Sequence, residues 1–199
     1  MNCTDITLEY YNNNASNFIQ STVNVDFSTF QNEFMWYVKA NGNILDLGCG
    51  SGRDSKVFLQ YGYNVTMIDG SENICNSAKK YTNHDVICSQ FQNYYPQNNF
   101  DGIWACASLL HLDDNDLKLV LNNTINKLNE NGCFYLSFKY GINYGIRNGR
   151  FFNDMTEEKF FNLIQEFDKI KIKKYYVTSD VRCGRSDEKW LNIFLEKVI

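Results

Sequence analysis

Ile44-Leu45-Asp46-Leu47-Gly48-Cys49-Gly50-Ser51-Gly52-Arg53-Asp54-Ser55 is the stretch on which the fold turns. A short apolar run, Ile44 to Leu47, breaks into glycines, and Val57, Phe58 and Tyr61 then recur on one face until Gly62. A bounded apolar run of this length reads as a buried strand, and the recurrence reads as a helix. The unit is a strand, a glycine turn and a helix.

Downstream the alternation continues. Strands are expected at Asn64 to Ile68, Asp85 to Cys88 and Gly102 to Ala105, with helices at Ser71 to Tyr81 and Asp113 to Asn129. After the Asn131-Gly132 turn a further strand spans Cys133 to Phe138. Strands alternating with helices imply parallel pairing through right-handed crossovers, so the class is α/β with an open, doubly wound sheet. A helix from Thr156 to Phe167 closes that pattern. The strands Ile170 to Thr178 and Trp190 to Val198 are then joined by the polar segment Ser179 to Lys189, which leaves no room for a crossover helix. They should form an antiparallel hairpin at the sheet edge. Upstream, apolar residues at helical spacing predict helices from Ile6 to Gln20 and from Phe27 to Ala40. With no internal repeat, the expectation is a single domain over 1–199, with a helical lid at 1–40 and the α/β core at 41–199.

Composition narrows the partners. The 199 residues are 44% hydrophobic and 21% charged, a globular mix, with a net charge of −4 that disfavours a nucleic-acid partner. The seven cysteines form no CxxC pair, so no zinc or iron–sulfur site is expected and the thiols read as reduced, which suits a cytoplasmic protein. Neither a secretory leader nor an apolar run long enough for a bilayer is visible.

The glycine turn is D-x-G-x-G-x-G. A dinucleotide fingerprint would need glycine where Arg53 or Ser55 stands, so a pyrophosphate ligand is disfavoured. Asp46 suits an ammonium, Arg53 a carboxylate, and Asp69, about 20 residues past the glycines at a strand end, suits ribose hydroxyls. A nucleoside that carries an amino acid has those parts, and S-adenosylmethionine is such a molecule.

The segments 44–55, MIDGSENIC (67–75), FDGIWACASLLHL (100–112) and LNENGCFYLSFKYG (128–141) together resemble class I S-adenosylmethionine-dependent methyltransferases, in their small-molecule branch near the tellurite-resistance and ubiquinone-biosynthesis types. The resemblance implies a Rossmann-like fold, methyl transfer to a small-molecule acceptor, and a monomer or homodimer. It also implies that Gly48, Cys49 and Gly50 line the methionyl group with Asp46, that Asp69 takes the ribose, and that Gly70 and Ser71 border the adenosine. Gln90 and Phe91 stand where the family places an acid and an apolar residue beside the adenine. Cys106 should sit near the sulfonium.

Individual residues keep two readings. His111 could take a proton from an acceptor as the catalytic base, or could simply pack beneath the cofactor. Tyr10 and Tyr11, on the lid helix, could touch acceptor and cofactor respectively, or be core. The clusters Arg147-Asn148-Gly149-Arg150 and Arg182-Cys183-Gly184-Arg185 could supply substrate contacts through Arg147, Arg182 and Arg185, or be solvated loop charges. A macromolecular acceptor such as tRNA or a protein, and a cofactor-binding protein without turnover, remain as alternatives.

Overall fold

The computed structural model describes residues 2–198; Met1 and Ile199, the ends of the expected domain, lie outside the described residues. Helix α1 (Cys3–Thr22) begins before Ile6 because Asn2 caps it: the Asn2 side chain accepts from the Asp5 amide, and Asp5 reaches back to the Asn2 amide. Such a polar cap carries no apolar periodicity. Helix α2 (Ser28–Tyr37) stops short of Ala40 because Val38 takes an extended conformation and tucks its side chain into the core.

The expected core follows in order: β1 (Asn43–Leu47), α3 (Arg53–Gln60), β2 (Asn64–Asp69), α4 (Glu72–Thr82), β3 (Val86–Cys88), β4 (Phe100–Ala105), α5 (Asp114–Ile125) and β5 (Leu128–Lys139). Beyond it come β6 (Tyr144–Arg147), β7 (Arg150–Asn153), α6 (Glu157–Ile164), β8 (Ile170–Ser179) and β9 (Lys189–Lys197). Seven strands form one sheet in the order β3-β2-β1-β4-β5-β9-β8, in which β1 to β5 pair in parallel and β9 is antiparallel to both β5 and β8. The C-terminal hairpin is therefore present, with β9 inserted beside β5 and β8 forming the edge.

Two expectations are corrected. Helix α5 ends at Ile125 rather than Asn129, because Leu128 already pairs with Phe100 of β4; Asn131 and Gly132 then sit in a register shift within β5 instead of a turn before it. The second hairpin, β6–β7, was not expected at all. Its turn is Asn148-Gly149, both at positive φ (50° and 75°), the pair that suits a tight two-residue hairpin turn.

Side chains alternate across the sheet with the period of two that strands impose. Ile103, Phe134 and Ile193 face one core, where α5 and α6 contribute Leu121 and Phe160. Trp104, Tyr135 and Phe194 face the other, where α2 and α3 contribute Phe34 and Phe58. Trp104 is fully buried, stacked on Tyr135 at 4.1 Å between centroids, and satisfies its indole N–H on Asp54 Oδ2 at 2.9 Å. No helix among the described residues is long and apolar enough to cross a membrane.

Candidate functional site

At the carboxyl ends of β1, β2, β4 and β5 opens a cleft of about 860 Å³, crossed on one side by α1. In an open parallel sheet this is where a ligand is expected, at the switch in strand order. The β1 end builds its floor. The Gly48 and Cys49 amides both donate to the Ile68 carbonyl at 2.9 Å, which turns the chain sharply. Gly48 sits at φ 92°, and a Cβ there would lie 2.3 Å from Ser108 Cβ, so the loop can pass only as glycine.

Asp69, at the end of β2, accepts the Gly50 amide on Oδ2 at 3.1 Å and the Ser71 amide on Oδ1 at 3.0 Å. Asp69 lines the cleft, and a carboxylate oxygen can accept more than one hydrogen bond. Burial raises its pKa despite these amides. Gly70 lies under α1, where Leu8 would be 2.7 Å from an added Cβ.

Several of the expected residues line this cleft together: Tyr11, Gly48, Cys49, Gly50, Arg53, Asp69, Gly70, Gln90, Phe91, Cys106, His111, Arg147, Arg182 and Arg185. Three do not. Asp46 is 2% exposed behind the glycine loop and accepts the Ser55 hydroxyl at 2.5 Å; burial and the nearby Asp54 push its pKa up to about 8. Ser71 is fully buried as the cap of α4, and its hydroxyl donates to Asn12 Oδ1 at 2.7 Å, which ties α1 to the core. Tyr10 packs under the β6–β7 hairpin, where its ring lies 2.9 Å from a Cβ added at Gly149. In each case the backbone stands near the cleft while local packing turns the side chain elsewhere.

Arg53 is engaged within the protein: its Nε and Nη2 donate to Asp54 at 2.7 and 2.9 Å, and it lies over the Phe27 ring. Asp54 in turn takes Gln31 and Trp104. Arg147 is likewise forked onto Asp154 and Arg182 onto Asp180. Cys106 is held among Ser137 and Arg53, and burial pushes its thiol up to about 12, so it stands as a neutral thiol in the wall.

His111 has a fixed tautomer. Its Nδ1 lies 2.6 Å from the Phe151 carbonyl, which can only accept, so Nδ1 carries the proton and Nε2 accepts from the Tyr11 hydroxyl at 2.9 Å. Burial, helped by the charges of Arg150 and Arg147, depresses the His111 pKa to about 4. The unfolded chain gains a proton here as pH falls through 6.5, whereas the folded one resists until about 4, so His111 withdraws stability across that acid window. Urea unfolding at pH 7.5 and pH 4.5 should show a smaller acid loss in His111→Gln, whose amide can serve both partners; equal losses in the two proteins would contradict the assignment.

Reading the sequence missed Phe18, Gln92 and Arg150 as cleft residues. Gln92 donates to Thr4 and Asp116, and its Oε1 is buried without a partner. Arg150 was visible as a member of its arginine cluster, and the Asn148-Gly149 signal could have placed it on a hairpin.

Residues 44–132 match the family model described as a methyltransferase domain. Over 87 residues the chain is 33% identical to a malonyl-[acyl-carrier protein] O-methyltransferase of Buchnera aphidicola subsp. Baizongia pistaciae (strain Bp), which covers 44% of this chain and 32% of that protein. The chain thus spans about a third of the length of this curated relative. The fold matches the Burkholderia thailandensis 1,6-didemethyltoxoflavin-N1-methyltransferase, solved with 1,6-didemethyltoxoflavin and S-adenosylhomocysteine, at TM-score 0.79 with 16% identity, covering 98% of this chain and 89% of that one. It also matches TehB of Haemophilus influenzae at TM-score 0.71 with 17% identity, covering 93% and 67%.

Proposed function

From the methyltransferase domain at 44–132 and the class I methyltransferase fold that carries it, we infer that this chain is an S-adenosylmethionine-dependent methyltransferase acting on a small-molecule acceptor. The observation that carries the reading is the Asp69 carboxylate. It is held by two loop amides and still offers acceptor positions to the cleft, the arrangement that a pair of ribose hydroxyls requires.

The remaining residues fit the cofactor. Gly48 and Gly50, both at positive φ, leave the cleft floor as bare backbone, so a ligand can approach the main chain closely. Gln90, on the cleft wall beyond β3, carries an amide oxygen suited to accept from an adenine amine. Asp46 is read as a support for the glycine loop rather than as a ligand to the ammonium, because Ser55 already occupies it.

S-adenosylmethionine supplies a methyl on a positively charged sulfur, so the acceptor's electron pair forms the new bond while the C–S pair stays on sulfur. The protein then contributes mainly by positioning, with effective molarities worth about 7–11 kcal/mol in well-oriented systems. Tyr11 and His111 hold each other across the cleft, and with a pKa near 4 His111 stays neutral at physiological pH. It orients Tyr11 more readily than it stores a proton. Incubating the protein with S-adenosylmethionine and a panel of small carboxylates, phenols, amines and thiols should yield S-adenosylhomocysteine and a methylated product by mass spectrometry. Failure to bind either form of the cofactor would overturn the reading.

A further inference from the structure

Five arginines line the cleft, and four of them carry a carboxylate partner: Arg53 has Asp54, Arg147 has Asp154, Arg182 has Asp180, and Arg185 approaches Glu188 at 3.7 Å. Arg150 has none among the described residues. Its Nη1 reaches the Tyr11 hydroxyl at 3.4 Å, and its Nε is buried with no hydrogen-bond partner. That nitrogen is closed off by the packing around it, but Nη2 makes no hydrogen bond and is not enclosed, so a charge-assisted bond to a ligand carboxylate is open there.

The guanidinium is nevertheless held in place. It lies over the rings of Tyr10 at 4.5 Å, Phe152 at 5.1 Å and Tyr11 at 5.7 Å. Aromatic faces orient a guanidinium without neutralising it as a carboxylate would. The tight turn at Gly149 presses the hairpin onto Tyr10, so the position of Arg150 is set by packing between β7 and α1. The result is a planar, charged fork, fixed at the cleft wall beside the Tyr11–His111 pair, that still lacks its anion.

We propose that Arg150 grips a carboxylate of the methyl acceptor, which makes the acceptor a small organic anion. This rests on the methyltransferase reading above. The same chemistry could come from the methionyl carboxylate of the cofactor, and the two sources separate experimentally.

The test uses the full chain, S-adenosylhomocysteine, and two matched probe pairs, benzoate with benzamide and hexanoate with hexanamide, titrated by ligand-observed NMR with and without S-adenosylhomocysteine. Wild type should bind each carboxylate at least about tenfold more tightly than its amide, the discrimination expected of a charged, forked hydrogen bond. Arg150→Gln should abolish that preference and Arg150→Lys retain part of it, while affinity for S-adenosylhomocysteine stays within about twofold in both. Equal binding of carboxylate and amide by wild type would overturn the proposal without recourse to any variant. So would a loss of about tenfold or more in S-adenosylhomocysteine affinity in folded Arg150→Gln, which would assign the guanidinium to the cofactor. Absence of S-adenosylhomocysteine binding by wild type would instead sink the methyltransferase reading, and the carboxylate preference measured without it would still decide the role of Arg150.

Discussion

Asp69→Asn lowers affinity for S-adenosylhomocysteine by about 100-fold or more, the largest binding effect expected of any single substitution in this chain. Two effects act together. The charge that would strengthen hydrogen bonds from the ribose hydroxyls in the proposed cofactor site is lost. The carboxamide also offers one oxygen where the loop uses two: Gly50 donates to Oδ2 and Ser71 to Oδ1, so one of these amides must face an NH2 group. The glycine loop then keeps its Gly48 and Cys49 bonds to the Ile68 carbonyl, but the side-chain contact that sets Gly50 or Ser71 is weakened. Calorimetric titration checks this, with His111→Gln as the companion variant expected to change cofactor affinity far less, since His111 is engaged by Tyr11 and Phe151. Wild-type affinity in Asp69→Asn would remove the ribose assignment.

Gly48→Ala should give the largest loss of stability. The added methyl would stand 2.3 Å from Ser108 Cβ, 3.0 Å from its hydroxyl and 3.2 Å from the Phe91 ring, on a backbone at φ 92°. Ser108 cannot easily retreat, because it is buried and its hydroxyl donates to the Leu47 carbonyl at 2.6 Å. Overpacking and left-handed strain together should cost about 2–4 kcal/mol, or roughly 4–15 °C in Tm for a chain of this size. A second change isolates the cause: Ser108→Gly in the Gly48→Ala background removes the clashing carbon and should restore part of the loss, leaving the backbone strain. If the double variant is no more stable than Gly48→Ala alone, the steric account is wrong.

Much of this molecule was legible in the chain, for local reasons. The strand-glycine-helix unit, the parallel alternation and the C-terminal hairpin follow from periodicity, turn residues and the length of the connections. The cleft residues at the strand ends follow from the same reading, since strand ends in such sheets converge on one crevice. Asp46, Ser71 and Tyr10 mark its limit. Each lies beside the cleft in sequence, and each is drawn elsewhere by a partner: Ser55 for Asp46, Asn12 for Ser71, and the hairpin turn for Tyr10. The β6–β7 hairpin was hidden because its strands are only four residues each and β6 has no fully buried position, so no apolar pattern builds up, although Asn148-Gly149 carried the turn signal.

By itself, then, the sequence determined what short stretches of backbone can do: where glycine must bend the chain, which faces of strands and helices are apolar, and that a carboxylate stands at the end of β2. Which charges remain free was decided by the tertiary structure. Arg53, Arg147 and Arg182 each find an acid within a few residues, whereas Arg150 finds Tyr11 across 139 positions of chain and no acid at all among the described residues. Compensation of charge depends on pairing in space, and only the packed fold brings those partners together or keeps them apart.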